Sequence, residues 1–378
     1  MRIVVDASAA LNQGAGIGRY ARVIIPAMAN ELPEFEVRAF VARDEKADPD
    51  VEALGKETFE AAGIEIRNLP FSRRQADIAW FRGRVPLPIE LFAGKNGVVY
   101  SPDFTAPPSI SRRSIVTVHD LAFEVAPEYS PAGLREYLRN TVPRQVKKAA
   151  RVAVVSETTR RDLIERYGVP SEKIGLVSNG VSDRFFDPPA LSDEDHIRLG
   201  IPSEYLLMVG TLEPRKNHLS VFEALEQSEV AREIPLVVSG RRGWNDDEIV
   251  DRIASLQDRG KVKWISYAPE RLLPSLFSGA MATIYPSWYE GFGLPALESL
   301  AAGTPLVISR APSLIEVARG VAREADAGRP DQIAEAIDLA VTQDRTPERK
   351  AARQERARHY RWERSGAAAA QLVRDALS

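Results

Sequence analysis

The chain has 378 residues, a length that favours two domains over a single core. Hydrophobic residues make up 44% of the chain and charged residues 27%. The 50 Lys/Arg nearly balance the 53 Asp/Glu, so the net charge does not indicate a charged binding partner, and we expect no binding to nucleic acid. The absence of cysteine excludes disulfides, zinc–thiolate sites and cysteine nucleophiles. No apolar run approaches the ~20 residues of a membrane span, and the start MRIVVDASAA has no signal-peptide pattern, so we expect a cytoplasmic protein.

Short β-rich runs alternate with amphipathic stretches along the chain. The first series of β-rich runs is RIVVDA, VRAFVA, GVVYSP, SIVTVHD and RVAVVSE. A second series follows the Pro/Asp-rich passage FFDPPALSDEDH and consists of YLLMVGT, PLVVSG, VKWISY, ATIYPS and PLVIS. This alternation predicts βαβ units on parallel sheets. We therefore expect an α/β protein of two doubly wound, Rossmann-like domains, residues 1–186 and 187–359, with strand ends facing across a cleft. Residues 360–378 are predicted to be helical.

In the first half, LNQGAGIGRYARV follows the first strand. The spacing of Gly14, Gly16 and Gly18 is GxGxG rather than GxGxxG, so the dinucleotide fingerprint is not met and we expect only a flexible loop. His119 and Asp120 end another predicted strand, where either a cleft residue or a structural histidine is expected. The other histidines are scattered without metal-ligand spacing, so no obligatory metal or other cofactor is predicted.

The second half contains the stretch YLLMVGTLEPRKNHLSVFEAL, a predicted strand, a turn with Gly210, and a helix. Arg215 and Lys216 are adjacent in that turn. A guanidinium fork beside an ammonium point charge suits a diphosphate, although such a pair is also common in solvated turns.

A second stretch, YPSWYEGFGLPALESLAAGTPLV, places Glu290 and Glu298 eight residues apart around a glycine-rich loop. The following helix is predicted to end at Gly303, and its first amides favour an anion or a polyhydroxyl ligand. Two carboxylates so spaced can hold hydroxyls at two ends of one extended molecule. The alternative is an ordinary loop charge and a capping or solvated glutamate.

The stretch EGFGLPALE resembles the EX7E signature of the retaining glycosyltransferases of family 4, which have the GT-B architecture. The similarity extends along nearly the whole chain, through GIGRY, TVHD, RVAVVSETTRRDL, LVSNGV, GTLEPRKN, SYAPERLLPSLFSGA and YRWERSGAAAA. It implies transfer of a sugar from a nucleotide diphosphate sugar to an acceptor with the anomeric configuration kept. It also implies that the closing helix, residues 360–378, crosses back to the N-terminal domain.

The same resemblance assigns roles on the donor side. Arg215 and Lys216 would neutralise the departing diphosphate, Glu298 would hold the ribose hydroxyls and Glu290 the donor sugar. The backbone of three following residues would also hold that sugar: Phe292, Gly293 and Leu294.

The resemblance further implies that His119 lies near the donor sugar and the reacting bond, as one of four catalytic residues with Glu290, Arg215 and Lys216. Gly16 and Gly18 would form a mobile loop over the phosphates. Gly210 lies in the donor-binding turn, and Tyr267, with the two residues after it, would line the base.

The sequence departs from the family pattern at one place and favours one donor at another. APSLIEVARGVA stands where many relatives have a GSLPEV-type turn, which puts a sugar or phosphate contact there in doubt. VSGRRGW is similar to relatives in surface-polysaccharide pathways, several of which use GDP-mannose, so that donor is favoured over a UDP-sugar. A nucleotide-sugar 2-epimerase of the same architecture and a non-catalytic nucleotide-sugar binding relative are the alternative functions.

The expected acceptor is a saccharide or a polyprenyl-diphosphate-linked oligosaccharide of polysaccharide or O-antigen biosynthesis. From Arg67 to Arg151 the chain carries 14 Lys/Arg against 7 Asp/Glu. FSRRQADIAWFRGRVPLPIELF interleaves aromatic and basic residues in that region, which suits the edge of an anionic bilayer. Peripheral contact with the inner face of the cytoplasmic membrane is one prediction; a packed aromatic core with solvated arginines is the other.

Overall fold

A computed structural model describes residues 1–266 and 268–378, which form two compact α/β units. The first comprises Met1–Glu124, Ala132–Gly180 and Arg361–Ser378, and the second Val125–Pro131 and Val181–Tyr360. The domain division predicted from the sequence, at residue 186, places residues 125–131 with the first domain. They belong to the second unit, where Tyr129 stacks on Trp288 and accepts a hydrogen bond from Trp244.

Within the described residues, each unit contains one parallel sheet, of seven strands in the first and six in the second. The first sheet has the order β3-β2-β1-β4-β5-β6-β7 and the second β10-β9-β8-β11-β12-β13. The strands are β1 (Arg2–Asp6), β2 (Glu36–Val41), β3 (Glu65–Asn68), β4 (Val98–Ser101), β5 (Ser114–Val118), β6 (Arg151–Val154), β7 (Ile174–Leu176), β8 (Leu206–Val209), β9 (Leu236–Ser239), β10 (Val262–Ile265), β11 (Ala282–Tyr285), β12 (Leu306–Ser309) and β13 (Arg323–Ala325).

Helices connect the strands and cover the sheets, as parallel sheets require. They are α1 (Ser8–Asn12), α2 (Gly16–Asn30), α3 (Pro49–Ala61), α4 (Arg73–Ala76), α5 (Glu90–Ala93), α6 (Ala122–Val125), α7 (Ala132–Lys148), α8 (Glu157–Tyr167), α9 (Asp193–Leu199), α10 (His218–Gln227), α11 (Asp247–Asp258), α12 (Leu273–Gly279), α13 (Leu294–Ala302), α14 (Pro312–Ala318), α15 (Pro330–Gln343), α16 (Pro347–Ala357) and α17 (Trp362–Leu377).

The last helix, α17, belongs to the first unit and packs against α2. The apolar face of α2 includes Tyr20, Ile24 and Met28, four residues apart in turn and buried. A Cβ at Gly366 of α17 would lie only 2.5 Å from the carbonyl oxygen of Ala27, so glycine at that position allows the two helices to approach closely.

The order of the second sheet brings two loops together. β8 pairs with β11 in parallel, with Leu207 opposite Thr283, although three helices and two strands separate them in the chain. The connections that leave the carboxyl ends of these two strands run in opposite directions along the sheet, which is where open α/β sheets bind ligands. The β8 connection carries Arg215 and Lys216, and the β11 connection carries Glu290.

The aromatic side chains of the basic, aromatic stretch of the first unit pack against one another. Phe71 makes edge-to-face contacts with Trp80 and Phe92 at 5.4 and 5.2 Å between ring centroids, and Arg73 lies 3.5 Å from the carboxylate of Asp103. The aromatic side chains therefore form a packed cluster. The exposed side chains of the stretch are mostly aliphatic or basic: Arg74, Gln75, Ile78, Arg82, Arg84, Val85, Pro86 and Leu91.

No helix among residues 1–266 and 268–378 combines the length and the apolar character that crossing a membrane requires.

Candidate active site

Five side chains at the carboxyl edge of the second sheet form a compact ionic cluster, which we call the clamp: Glu213, Arg215, Lys216, Tyr285 and Glu290. A 3-10 turn, Pro214–Lys216, presents the two cations between β8 and α10. Tyr285 is the last residue of β11, and Glu290 follows in the loop before α13. The pairing of β8 with β11 places these two segments side by side.

Glu290 is the centre of the clamp. Its Oε2 accepts from Arg215 Nη1 at 2.9 Å, and its Oε1 accepts from Lys216 Nζ at 2.6 Å and from the Tyr285 hydroxyl at 3.0 Å. Arg215 also donates to Glu213 Oε1 at 2.6 Å. Two carboxylates thus balance two cations, and the clamp has no formal net charge.

The electrostatics of the clamp keep Glu290 ionised. Burial alone would raise the pKa of its carboxyl, but the adjacent charges of Arg215 and Lys216 outweigh burial and lower that pKa to about 2. Burial, together with the Glu290 charge, raises the pKa of Tyr285 well above its ordinary value, so its hydroxyl stays protonated. Glu290 is therefore a hydrogen-bond acceptor for cations and hydroxyls and a poor proton acceptor at neutral pH.

Backbone-directed hydrogen bonds fix the loops that carry the clamp. Asn217, in the left-handed region at φ +65°, donates through Nδ2 to the carbonyls of Pro286 at 3.0 Å and Ala327 at 2.8 Å. The Ser313 hydroxyl donates to the Glu290 carbonyl at 2.6 Å. Both side chains are buried, so these bonds join three loops in surroundings where hydrogen bonds are costly to lose.

The loop after Glu290 leads directly into α13. Gly293 has φ +99°, and a Cβ there would come within 2.4 Å of Leu314 Cδ2, so only glycine fits this turn. Phe292 is buried with its ring edge-to-face to Tyr360, and Leu294 begins the helix. Glu298 lies on α13 one turn further and is also buried.

Gly210, at the end of β8, adjoins the clamp. A Cβ at Gly210 would lie 3.7 Å from Lys216 Cε, and a Cβ at Gly240 would lie 1.7 Å from the Gly210 carbonyl oxygen. The two turns can thus approach each other because Gly240 has no side chain. The predicted base-lining residue Tyr267 lies outside the described residues.

His119 belongs to the first unit, at the end of β5. Its Nε2 lies 2.8 Å from the Pro102 carbonyl oxygen, and because a carbonyl only accepts, Nε2 carries the proton and Nδ1 is the acceptor. Burial lowers the pKa of the imidazole, which favours its neutral form. Its ring packs edge-to-face on Tyr20 of α2 at 4.9 Å, while Asp120 accepts from the backbone N–H of Ala122.

The prediction of a flexible loop is wrong for Gly16 and Gly18. Gly16 begins α2, and Gly18 lies in its first turn. A Cβ at Gly18 would lie 1.8 Å from the Gln13 carbonyl oxygen, so this glycine serves close packing of the helix start against the preceding loop. Of the three glycines, only Gly14 lies in that loop.

Two protein-family models match the chain in succession. The model for glycosyltransferase family 4 matches residues 14–185, and the model for group 1 glycosyl transferases matches residues 192–359. The chain belongs to glycosyltransferase family 4. It is 29% identical over 370 residues to O-antigen chain mannosyltransferase B of Escherichia coli, and the alignment covers 92% of this chain and 93% of the relative.

Further similarities agree with this membership. The O-antigen chain mannosyltransferase RfbU of Salmonella typhimurium is 26% identical over 298 residues, 75% of this glycosyltransferase and 79% of the relative. The structure of HepE from Anabaena in complex with UDP and glucose superposes with a TM-score of 0.72 at 16% identity, over 99% of both chains. The likeness to HepE shows the fold alone, and the predicted GT-B architecture is confirmed.

Sequence reasoning missed three residues of this candidate site. Glu213 and Asn217 flank the predicted Arg215–Lys216 pair within GTLEPRKN, and Tyr285 ends the predicted strand ATIYPS. A charged residue two positions before the pair was the available signal for Glu213. The contact of Asn217 with Pro286 joins segments about 70 positions apart, and the contact of Tyr285 with Glu290 depends on the conformation of a loop. No local sequence pattern indicates either contact.

His218 provides a test of the electrostatics around the clamp. Burial, aided by the charge of Lys216, lowers the pKa of this imidazole to about 3. A histidine with a lowered folded-state pKa binds its proton more readily when unfolded, so it makes the folded state lose stability as pH falls from about 6.5 towards 3.

We expect His218→Gln to reduce the loss of unfolding free energy between pH 6.5 and 5, by at most about 1.4 kcal/mol per pH unit. Urea unfolding at a series of pH values measures this slope. The exposed-histidine variant His359→Gln is the control, and equal slopes for wild type and His218→Gln would contradict the assignment.

Proposed function

We propose that this glycosyltransferase transfers mannose from GDP-mannose, with retention of the anomeric configuration, to a saccharide or lipid-linked oligosaccharide during O-antigen-type polysaccharide assembly. The clamp carries the proposal: a cation pair beside a buried, ionised carboxylate suits a diphosphate sugar. The similarity to O-antigen mannosyltransferases over most of the chain supports the sugar and the pathway. A UDP-sugar donor is the alternative.

The main catalytic contribution in this proposal is electrostatic. As the bond from the sugar to the diphosphate breaks, negative charge grows on the phosphate oxygens, and Arg215 and Lys216 stabilise it. Donors already positioned for developing charge supply the largest rate effect in many enzymes. These two residues provide the positive charge that a metal supplies elsewhere, so we propose that no metal is obligatory and that EDTA leaves the rate unchanged.

Retention in this proposal does not require a carboxylate nucleophile. Glu290 is held by two cations with a pKa near 2, which suits binding of sugar hydroxyls and opposes service as a general base. We propose that an acceptor hydroxyl attacks the anomeric carbon on the face from which the diphosphate leaves, through an oxocarbenium-like state, while Glu290 holds the donor sugar. The C–O bond to the diphosphate breaks as the new C–O bond forms, and the proton of the attacking hydroxyl passes to the departing phosphate oxygen. His119, whose Nδ1 accepts and whose Nε2 donates, is proposed to hold a sugar hydroxyl, and Glu298 the ribose.

Product analysis tests the proposal. The enzyme is incubated with GDP-mannose, GDP-fucose or UDP-glucose and a panel of α-linked manno-oligosaccharides, and the new anomeric signal is read by NMR. We expect an α-mannoside from GDP-mannose alone. A β-product would overturn retention, isomerised donor without transfer would indicate an epimerase, and donor binding without any turnover would indicate a non-catalytic relative.

Contact with an anionic membrane is a further proposal, carried by exposed aliphatic and basic side chains of the first unit rather than by its aromatic cluster. Ile78, Val85 and Leu91 are 50%, 46% and 64% exposed, with Arg82 and Arg84 between them in the sequence. Each basic side chain near an anionic surface contributes about 1 kcal/mol.

We expect sedimentation with anionic vesicles at low salt, loss of binding as salt rises, and no sedimentation with neutral vesicles. The double replacement Arg82→Gln and Arg84→Gln should reduce vesicle binding several-fold. Arg232→Gln, an exposed residue of the second unit, is the control. Equal recovery in the supernatant with both vesicle types, or equal binding of the double variant and the control, would refute the membrane proposal.

A further inference from the structure

An aromatic pair lies beside the clamp and has no role in it. The rings of Tyr129 and Trp288 are nearly parallel, with 15° between their planes and 6.1 Å between centroids. Trp288 is 38% exposed, the only tryptophan among the large exposed hydrophobic residues of the described chain. We call this pair the Tyr129–Trp288 platform.

The platform is held in place by the residues of the donor clamp. The backbone N–H of Trp288 donates to the Arg215 carbonyl at 2.9 Å. On the neighbouring turn, Asn217 Nδ2 donates to the Ala327 carbonyl at 2.8 Å, and a Cβ at Gly328 would lie 3.3 Å from Trp288 Cη2. The indole therefore lies over a turn that lacks a side chain at this position and that is bonded to Asn217, the residue that follows Lys216 of the clamp.

Tyr129 is fixed from the other side. Its carbonyl oxygen accepts from Trp244 Nε1 at 2.9 Å, and it ends a short 3-10 turn, Pro127–Tyr129. This contact brings the segment Val125–Pro131 into the second unit. A distant chain segment is thus anchored where its ring stacks on Trp288.

A rigid, half-exposed aromatic surface suits one class of ligand at a sugar-transfer site. A pyranose ring has an apolar C–H face and a rim of hydroxyls, so its face can stack on an aromatic ring while the hydroxyls remain hydrated. Because the rings are already held, little side-chain freedom is lost on binding.

We propose that the Tyr129–Trp288 platform binds a pyranose ring of the acceptor saccharide and positions it next to the donor clamp. This inference rests on the proposed function. Trp288 is joined to the clamp through its backbone, while its side chain stacks on Tyr129 and lies beside Gly328, and the hydrogen bonds that hold Arg215 and Lys216 to Glu290 are made without that side chain. The acceptor is therefore the sugar assigned to the platform, and the donor sugar is assigned to Glu290.

Kinetics with an α-linked mannobiose acceptor test the inference. With GDP-mannose saturating, we expect Trp288→Ala and Tyr129→Ala each to raise the acceptor KM about 3- to 10-fold, the range that one aromatic contact supplies. Trp288→Phe should raise it less, because a smaller ring remains. The control Trp264→Phe, a half-buried residue of β10, should retain the wild-type acceptor KM. A rise in the GDP-mannose KM instead, or no change in either KM, would overturn the inference.

A binding measurement separates this inference from the proposed function. Saturation-transfer NMR with mannobiose and GDP, which needs no turnover, should show transfer to the C–H protons of one sugar face in wild type and a several-fold weaker signal in Trp288→Ala. If transfer from GDP-mannose fails but this difference persists, the platform stands and the donor assignment falls. If wild type gives no signal, or if both proteins give equal signals, the platform is refuted.

Discussion

Replacing Lys216 with alanine is expected to lower kcat/KM for sugar transfer by about 30- to 1000-fold, and Arg215→Ala to do the same. Either change removes a charge-assisted donor just as negative charge develops on the leaving diphosphate, and one such preorganised donor contributes about 2–4 kcal/mol to transition-state stabilisation. Steady-state kinetics with varied donor measure the effect.

The clamp geometry adds a second expectation for the same variants. Each alanine variant removes one of the two cations that lower the pKa of buried Glu290, so the carboxylate keeps part of its desolvation penalty. We expect the alanine variants to be less stable by about 1–3 kcal/mol. Arg215→Lys keeps one positive charge beside Glu290 and loses the guanidinium fork that would bind a diphosphate at two oxygens, so it should restore stability better than activity.

The control for the clamp variants is Arg259→Ala. Arg259 also pairs with a carboxylate, that of Glu226, but both side chains lie on the surface, where an ion pair contributes about 0–1 kcal/mol. Its kcat/KM should stay within about twofold of wild type. Near-normal turnover in either clamp variant would remove the diphosphate role from the proposal.

The sequence predicted the fold through its buried strands. Runs such as LLMV and LVVS are apolar on both faces, as central parallel strands must be, and β8 and β9 lie where those runs predicted them. The strands β3, β7 and β13 were missed. They lie at sheet edges, are three or four residues long, and carry charged or small residues, such as EIRN and REA, that give no apolar run.

The candidate site was predictable only in part, because motif reasoning identifies residues and not their partners. Arg215, Lys216 and Glu290 were expected to bind parts of a donor, and nothing in their spacing showed that they bind one another. That contact depends on the neighbouring positions of β8 and β11, which are 72 or more residues apart in the chain. The prediction for Gly16 and Gly18 was wrong for a different reason. The glycine spacing suggested a loop, whereas the backbone at these positions is helical.

The neutral clamp has a consequence for donor binding. Glu290 accepts hydrogen bonds from both cations that the proposed diphosphate would need. A bound diphosphate would compete for Arg215 and Lys216, and Glu290 would become available to sugar hydroxyls at the same moment. In this scheme Glu290 weakens binding of the diphosphate because it competes for the two cations. Binding of the diphosphate in turn releases the Glu290 carboxylate to accept hydrogen bonds from the donor sugar, so the two binding events are coupled through one side chain.

Glu290→Gln tests this coupling, because glutamine keeps the shape and removes the charge. We expect GDP to bind about 3- to 10-fold more tightly, since one negative charge no longer offsets the two cations, while kcat falls by about 100-fold or more because the sugar loses its ionic acceptor. Glu298→Ala should do the reverse and weaken GDP binding with a smaller effect on kcat, since a ribose contact is alike in ground and transition states. Calorimetric titration with GDP and steady-state kinetics measure both. Weaker GDP binding by Glu290→Gln with kcat intact would show that Glu290 holds the nucleotide, and the roles assigned to the two glutamates would have to be exchanged.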